Sequence, residues 1–429
     1  MKEGNKLYWI WLSERFGAAS KSFSAFADKY DDPYDVYRLE SEEIEQLDGV
    51  SNTLKARLSD KSLDNAYSIL KYCKSHSIDI IGYSDKRYPK RLKAIEAPPV
   101  MLYCMGKLPN MDDRLCIGVV GTRKMSEYGK QSAYRISYEL ACANVCVVSG
   151  MALGVDGVSA CGALEAGACT VAVLGSGLDV VYPKEHDKLM RAIAKRGAVI
   201  SEYPPFERPI PSNFPKRNRI ISGLCQGILV VEGAKGSGAL ITAERAIAQG
   251  RELFAIPGNV DESNSEGPNE LIRNGANVAL GASDIIEHYE FLYHDAIDRK
   301  GYAKAKKNCE SADKAMEKYG VVSSQYRPKV KKTAAAEKTV RAKIPQSHAQ
   351  EPVKQTVKET YVPDRSEAIL ASLDDTSKKV FGLIPDGTSF SPDAIAAHGV
   401  DITEVITALT MLEISGLVSS LPGGMYLKK

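Results

Sequence analysis

Between residues 116 and 260 the chain repeats one pattern, in which a short apolar strand ends in a glycine- or serine-rich turn and a helical segment follows. The junctions read CIGVV-GTRKMS, VCVVS-GMALGVD, TVAVL-GSGLD, AVIS-EYP, GILVV-EGAKGSGALITA and LFAI-PGN. We predict helices at residues 128–143, 158–166, 185–195, 218–225, 240–249 and 269–274. This alternation predicts an α/β fold class with a doubly wound parallel sheet and right-handed crossovers.

In a parallel sheet all of these turns lie at one edge, where the strands end. Glycines there allow backbone N–H groups to approach a phosphate, and each following helix presents its positive N-terminal end. Five or six such turns beside several basic side chains indicate a ligand that carries many phosphates. The candidate binding residues in the turns are Gly121, Thr122, Arg123, Lys124, Ser149, Gly150, Gly175, Gly177, Lys184, Lys235, Ser237 and Gly238.

The densest candidate cluster is NFPKRNR, residues 213–219. It adds Phe214, Lys216, Arg217, Asn218 and Arg219 to the candidate binding residues. Basic groups can meet phosphates, and Phe214 offers a face on which any base can stack, worth roughly 1–3 kcal/mol per base. The alternative is structural: Arg217 and Arg219 would pair with acids such as Glu202 or Glu232, and Phe214 would belong to the core. Asp156, which directly precedes a predicted helix, is expected to cap it.

Several kinds of catalytic or cofactor site are missing from the sequence. Neither a G-x-G-x-x-G dinucleotide fingerprint nor a G-x-x-x-x-G-K-[ST] phosphate loop is present. The strand ends do not bring together a serine, a histidine and an acid, and no pair of carboxylates is placed for acid–base chemistry. His186 lies at a helix start. We therefore expect a binding protein rather than an enzyme, with no cofactor and no metal.

Composition bounds the remaining possibilities. The 429 residues are 44% hydrophobic and 26% charged, which is enough for two to four domains with large cores, and the net charge of +2 identifies no partner. The nine cysteines are scattered without a C-x-x-C pair, as is typical of reduced core thiols. No apolar run is long enough to span a membrane, and the first residues do not resemble a signal peptide. These features favour a cytoplasmic protein.

The pattern of the chain predicts four regions. Residues 1–80 read as a helical domain, in which Leu47–Leu58 weakly matches half of a helix-hairpin-helix. Residues 81–294 hold the sheet domain. Residues 295–363 read as a basic flexible linker, because residues 300–343 contain thirteen Lys or Arg against four acids. A sliding electrostatic contact with DNA is a second interpretation of this linker.

Residues 364–429 read as three helices and a two-stranded wing that turns at Gly423-Gly424, which predicts a winged helix. The third helix often reads DNA in such domains. Here its sequence, DITEVITALTMLEISG, is acidic and has no lysine or arginine, which favours a protein-interaction role over base readout.

Eight segments of the chain, in the order in which they occur, resemble the DNA-processing protein A family, also called Smf. The matching segments are GTRKMSEYG (121–129), SGMALGVD (149–156), AVLGSGLDVVYP (172–183), SEYPP (201–205), FPKRNRIISGL (214–224), VVEGAKGSGALITA (230–243), AIPGN (255–259) and GPNELIRNGA (267–276). One departure is Cys161, which stands where the family commonly has a histidine. The match leaves residues 295–363 unassigned.

The resemblance implies an extended Rossmann-like domain that binds single-stranded DNA, usually as a homodimer, flanked by a small helical domain of the SAM or helix-hairpin-helix type and a C-terminal winged helix. It also implies a recombination mediator that protects incoming strands during natural transformation, displaces single-strand-binding protein and helps to load the RecA recombinase. Carried onto this chain, the DNA contacts would be Arg123, Lys124, Phe214, Arg217 and Arg219, with the turn glycines.

The rival hypothesis is an enzyme that cleaves nucleoside monophosphates to base and ribose phosphate. Such Rossmann-like phosphoribohydrolases carry a P-G-G-x-G-T-x-x-E turn whose glutamate acts in the chemistry, and KGSGALITAE with Glu244 is the comparable stretch here. A third hypothesis is an adaptor dominated by the two terminal domains.

Overall fold

The structure is a computed structural model that describes residues 3–308, 311–322, 373–385, 390–415, 417–421 and 425–428. The chain divides into two compact units, Met1–Pro328 and Lys329–Lys429. Within the described ranges, no helix is both long and apolar enough to cross a membrane.

The first unit begins with a helical region, as its apolar spacing predicts. Its helices are α1 (Glu3–Phe16), α2 (Ser22–Ala27), α3 (Pro33–Tyr37), α4 (Ser41–Glu45), α5 (Asn52–Ser59) and α6 (Asp64–Ser75). Trp9 and Trp11 are buried at its centre, in a hydrophobic core that continues into the sheet. Gly49, with φ +71°, turns the chain between α4 and α5.

Nine strands form one sheet in the order β1-β2-β6-β5-β4-β3-β7-β8-β9. They are β1 (Ile78–Gly82), β2 (Met101–Gly106), β3 (Cys116–Val120), β4 (Cys146–Ser149), β5 (Thr170–Leu174), β6 (Ala198–Ser201), β7 (Gly227–Val230), β8 (Glu252–Ala255) and β9 (Asn277–Val278). The seven strands from β6 to β9 in this order are parallel, as predicted. The first two strands extend the sheet in the antiparallel sense, so the sheet is mixed.

Helices cover both faces of this sheet. They are α7 (Lys90–Lys93), α8 (Glu127–Cys142), α9 (Val155–Glu165), α10 (Asp187–Arg196), α11 (Asn213–Leu224), α12 (Gly238–Ala248), α13 (Ser263–Arg273) and α14 (Ala282–Tyr293). Most begin within a few residues of the predicted positions. The exception that matters for the site is α11, which begins at Asn213 rather than Asn218 and so takes the whole NFPKRNR segment into a helix.

Residues 295–322 differ from the flexible linker that composition predicts. They form α15 (Arg299–Asn308) and α16 (Ala312–Tyr319), which pack on α8 and α9. Ala312, Ala315 and Met316 are buried, and their i, i+3, i+4 spacing is that of a helix face. Lysine and alanine, which indicated a solvated segment, are also good helix formers. Of the predicted linker, residues 323–363 lie outside the described residues.

Two ion pairs fasten α16 to the sheet domain. The Lys130 ammonium lies 2.6 Å from Asp313, and the Lys318 ammonium lies 2.5 Å from Glu165. The lysines and acids that suggested a solvated linker therefore bind α16 to the helices that cover the sheet.

The second unit has the predicted winged-helix elements. They are α17 (Asp375–Leu383), α18 (Pro392–Ala396), α19 (Ile402–Ile414), β10 (Val418–Leu421) and β11 (Met425–Lys428), with β10 and β11 antiparallel. Val380, Leu409 and Val418 are fully buried in its separate core. Asp374, Ser391 and Asp401 cap the three helices with side-chain oxygens. The predicted turn at Gly423-Gly424 lies outside the described residues.

Candidate functional site

The strand order reverses beside β3, which lies between β4 and β7. The chain moves from β3 through β4 and β5 in one direction and returns to β7 on the other side of β3. In open α/β sheets ligands bind at the carboxyl ends of the strands at such a reversal, because the loops diverge there. The loops that follow β3, β4 and β7 carry three of the predicted glycine turns, so the structure brings these turns together.

The backbone of these three loops is directly connected. Thr122 N–H donates to the carbonyl of Glu232 at 2.8 Å, and Val155 N–H donates to the carbonyl of Thr122 at 3.3 Å. Two glycines make this approach possible. A Cβ on Gly121 would lie 2.6 Å from Val155 Cγ2, and one on Gly154, at φ +79°, would lie 2.3 Å from the Thr122 carbonyl oxygen. The glycines therefore allow close packing between the turns.

Glu232 lies between the turn at Gly121 and the start of α8 and contacts both. Its buried carboxylate accepts a hydrogen bond from Ser126 N–H at 2.9 Å and another from the Ser126 hydroxyl. Ser126 is also the N-cap of α8. A Cβ on Gly129 would lie 2.2 Å from the Glu232 carboxylate, so this helix can approach only with a glycine there. Glu232 is thus committed to the start of α8 and does not pair with Arg217 or Arg219, as the structural alternative had allowed.

Three buried titratable side chains hold the loop after β4. The Asp156 carboxylate accepts from Gly150 N–H at 3.1 Å and Ala152 N–H at 3.4 Å. Arg217 donates to the Gly150 carbonyl at 2.8 Å, and His186 Nδ1 lies 3.0 Å from the Met151 carbonyl oxygen. Asp156 lies inside α9, whose N-cap is Gly154, so it fixes the preceding loop rather than capping the helix as predicted.

Burial and mutual attraction act in opposite directions on Asp156 and Arg217. Burial raises the pKa of Asp156, while the nearby Arg217 and Arg123 lower it. Burial lowers the pKa of Arg217 to about 10, and the attraction of Asp156 opposes this. Because the pKa of Arg217 remains well above 7, its guanidinium is charged at neutral pH. His186 is fully buried, and this burial lowers its pKa, so the imidazole is neutral there.

The structure places two of the predicted phosphate-binding arginines in the interior. Arg217 is 4% exposed and donates to the carbonyls of Gly150 and Val173. Arg219 is 7% exposed and its guanidinium lies 2.6 Å from the Glu202 carboxylate. The structural alternative is therefore right for Arg219, whose partner is Glu202, whereas Arg217 is structural through the two carbonyls and the nearby Asp156 rather than through Glu202 or Glu232. The physical reason is that α11 includes the whole segment from Asn213, and Arg217, four residues later, lies on the same buried helix face.

Phe214 stays at the surface between basic and aromatic side chains. Its half-buried ring packs against Gly175, where an added Cβ would lie 3.1 Å from the ring. The Arg123 guanidinium carbon lies 5.5 Å from the ring centroid, within cation–π range, and the Tyr182 ring centroid lies at 5.4 Å. Tyr182 is 38% exposed and was not among the predicted contacts. Its place after the third glycine turn, in DVVYP, was the only available sequence signal.

Five of the predicted basic residues are exposed at this edge of the sheet. They are Arg123, Lys124, Lys184, Lys216 and Lys235. They lie in the loops after β3, β5 and β7 and in the first turn of α11, so the positive charge spans several strands. The loop after β8 instead carries exposed Asp261 and Glu262, which ends the basic row on that side.

The remaining predicted residues are either buried beneath the exposed basic residues or lie at the start of α12. Ser149, Gly150, Gly175 and Gly177 are buried, and the Ser149 hydroxyl donates to the Val119 carbonyl at 2.7 Å. At the start of α12, a Cβ on Gly238 would meet open space. The buried Ser237 hydroxyl there has no hydrogen-bond partner among the described residues. The open space lies at Gly238, where backbone N–H groups of a helix start can bind an oxyanion, whereas the Ser237 hydroxyl faces Gly233. Asn218, half-buried, donates to the Gly238 carbonyl at 3.4 Å.

Two other features bear on the rival interpretations. Glu244 is exposed on α12, six residues after the helix begins at Gly238, and so is not part of the turn itself. Cys161 is fully buried in α9, which raises the pKa of its thiol. Across the part of the chain that the structure describes, no cluster of three or more His, Cys, Asp or Glu could hold a metal ion.

Two family models match this chain. The family model described as DNA recombination-mediator protein A matches residues 79–290, and the DprA winged helix domain matches residues 364–424. The DNA processing protein DprA of Bacillus subtilis is 40% identical over 219 residues, which cover 51% of this chain and 74% of that protein. The protein Smf of Synechocystis is 26% identical over an alignment of 433 residues that covers all of both chains.

The structural comparison agrees. The X-ray structure of DNA processing protein A from Streptococcus pneumoniae matches with a TM-score of 0.58 and 33% identity, over 66% of this chain and 97% of that one. The relatives and the family model cover the sheet domain that carries the candidate site. The chain therefore belongs to the DNA recombination-mediator protein A (DprA/Smf) family.

Proposed function

We propose that this protein binds single-stranded DNA without sequence preference along the carboxyl edge of its sheet, and that it acts as a recombination mediator rather than as an enzyme. The observation that carries the proposal is the Arg123 guanidinium 5.5 Å from the centroid of the Phe214 ring, within a row of exposed lysines. Phosphates and bases alternate along a polynucleotide, and this row offers partners for both.

The geometry favours a single strand over a duplex. A ring such as that of Phe214 can stack only on a base whose face is free, and every base offers such a face. Lysines and arginine contact the backbone, which carries no sequence information. The buried Arg217 and Arg219 have a different role in this proposal. They hold the loop after β4 and the loop after β6 in place beneath the bound DNA, and they do not contact phosphate directly.

The same proposal extends to the partners that the family implies. A recombination mediator would protect incoming strands during natural transformation, displace single-strand-binding protein and pass the DNA to RecA in the cytoplasm. We propose a homodimer as the working form. Exposed apolar side chains on and before α14 support a contact with a second copy: Leu280 is 68% exposed, Phe291 90% and Leu292 71%. The winged helix, whose α19 lacks basic residues, would bind a protein.

The alternative enzyme, which would cleave nucleoside monophosphates, is not favoured by the family match. The position of Glu244 on the exposed side of α12, away from the turn, also argues against it. Incubation of the protein with nucleoside monophosphates tests this directly, since our proposal expects no released base.

The decisive experiment is a mobility-shift titration with single- and double-stranded oligonucleotides of the same sequence at two salt concentrations. We expect tighter binding to the single strand, with similar affinity for unrelated sequences. Arg123→Ala and Lys216→Ala should each weaken binding to all sequences alike, and each should reduce the slope of log K against log salt by roughly 0.7.

Two matched controls remove exposed basic residues near the opposite edge of the sheet, where the parallel strands begin. Arg273→Ala and Lys195→Ala lie in the last turns of α13 and α10, at the far ends of helices that begin at the carboxyl edge. Both variants should bind as the wild type does. Equal losses in the controls and in the Arg123 and Lys216 variants would show a diffuse charge effect and would remove these two residues from the site.

A further inference from the structure

Phe206, in the loop after β6, has a conformation that its sequence does not explain. Its backbone is in the left-handed region at φ +74°, which a bulky residue rarely adopts, and its side chain is 60% exposed. Phe206 N–H donates to Asp179 Oδ1 at 2.7 Å, which holds the loop in this conformation. A strained backbone that presents an apolar ring to solvent is a feature that clusters at binding sites.

Two further rings continue from Phe206 onto the N-terminal helical region. The Tyr72 ring centroid on α6 lies 4.6 Å from that of Phe206, at an interplanar angle of 63°. His76, one helical turn later, stacks on Tyr72 at 3.9 Å and 18°, and its Nδ1 lies 3.0 Å from the Tyr72 carbonyl oxygen. His76 is exposed and Tyr72 is half-buried. We call these three rings the outer aromatic cluster.

The outer aromatic cluster is connected to the proposed DNA site through one turn. Gly175 packs against the Phe214 ring, and Gly177 packs against the backbone of the Phe206 loop, where an added Cβ would lie 2.5 Å from the Pro204 carbonyl oxygen. Since the Cα atoms of Gly175 and Gly177 are at most about 7 Å apart, the two aromatic positions flank a single turn. A strand that stacks on Phe214 needs to pass only this turn to reach Phe206.

The charges around the outer aromatic cluster suit a nucleic acid backbone. Lys71 and Lys74 are exposed on α6 beside Tyr72, and Arg208 is exposed two residues after Phe206. Two acids lie near this loop: Asp179, whose carboxylate accepts the Phe206 N–H, and Glu207, the half-buried residue that follows Phe206. Aromatic faces interleaved with basic side chains are the usual composition of single-strand binding surfaces.

We propose that Phe206, Tyr72 and His76 form a second base-stacking site, which takes an unpaired base of the same DNA strand after it passes the Gly175–Gly177 turn. This inference rests on the proposed function and extends it, because it makes the N-terminal helical region part of the DNA path. A short oligonucleotide occupies only the Phe214 position, whereas a longer one reaches both.

The test uses the full chain and Phe206→Gly, which removes the ring and suits the left-handed backbone, so the fold is kept. Oligothymidylates of about 4 and about 16 nucleotides are titrated at fixed salt. We expect the variant to bind the short strand as the wild type does and to bind the long strand about 5- to 150-fold more weakly, which is the loss of one stacked base. Tyr34→Ala removes a 40% exposed ring from α3 and serves as the control, with no change on either strand.

A second variant gives a direct signal. The chain has two tryptophans, Trp9 and Trp11, and both are buried. Because DNA does not reach these two buried rings, quenching on addition of DNA would report on the new tryptophan of Phe206→Trp. We expect the long strand to quench its fluorescence and the short strand not to. Wild-type affinity of Phe206→Gly for the long strand, or equal loss on both strands, would overturn the second stacking site while leaving the proposed function in place. Failure of the wild type to bind either strand would overturn both.

Discussion

Replacement of Arg217 by methionine tests whether this arginine is a structural element or a DNA contact. The guanidinium is 4% exposed and donates to two buried carbonyls, those of Gly150 and Val173, near the buried carboxylate of Asp156. A hydrogen bond from a charged donor contributes about 1.5–3 kcal/mol, and removal of one member of a buried ion pair costs about 3–5 kcal/mol. Methionine fills most of the space but satisfies neither carbonyl. We expect Arg217→Met to lower the free energy of unfolding by about 3–5 kcal/mol.

Urea denaturation followed by circular dichroism measures this loss. With a slope of about 2 kcal/mol per molar urea, a change of about 4 kcal/mol moves the unfolding midpoint by about 2 M. Lys216→Met is the matched control, because the neighbouring side chain is exposed and its removal should change the free energy of unfolding by no more than about 0.5 kcal/mol. Lys216→Met should instead weaken DNA binding.

A double-mutant cycle with Asp156→Asn isolates the pair. The double variant should lose less stability than the sum of the two single variants, by about 0.5–3 kcal/mol, because each single change leaves one buried charge without its partner. If Arg217→Met unfolds at the wild-type urea concentration and loses only DNA affinity, Arg217 is not a structural element and the direct phosphate contact expected from the sequence is right.

Two further predictions concern residues that support the site from behind. Burial lowers the pKa of His186 below its ordinary 6.5, so the unfolded chain binds the imidazole proton more tightly than the folded chain, and the stabilising contribution of His186 is full above about pH 6.5 and falls as the pH drops toward the lowered value. The urea midpoints at about pH 7.5 and about pH 5.5 should therefore differ more for the wild type than for His186→Gln. Equal differences for the two proteins would contradict this. Ala315→Asp places a charge in the buried contact of α16 and should lower the free energy of unfolding by more than about 1 kcal/mol. The control Lys314→Asp changes an exposed neighbour and should not have this effect. Equal stability of the two variants would mean that α16 does not contribute to the stability of the first unit.

The alternation of strand and turn was sufficient to predict the sheet and the edge at which the candidate residues meet. Parallel strands place their ends together whatever their order, so Gly121, Ser149 and Gly175 could be grouped from the sequence alone. The two antiparallel strands β1 and β2 could not be assigned in this way, because an isolated apolar segment carries no information about the direction of its partner. The packed helices α15 and α16 were hidden by a composition that solvated segments share.

The identity of the surface residues in the site was harder to predict than its location. Lys216 and Arg217 are adjacent and both basic, and the rotation of α11 about its axis decides which of them faces the interior. Arg217 shares the buried face of α11 with Asn213 and Leu224, whereas Lys216 is exposed to solvent. The sequence names the candidates, but the helix register selects among them.

The hydrogen bonds that join the loops after β3, β4 and β7 limit which changes this chain can accept in those loops. Because the backbones of Thr122, Val155 and Glu232 are linked in series, an insertion or a bulkier residue in one loop would displace the other two. The three loops therefore change shape together or not at all. The exposed side chains of Arg123, Lys124 and Lys235 are outside this constraint and can be exchanged one at a time while the backbone of the three loops stays constant.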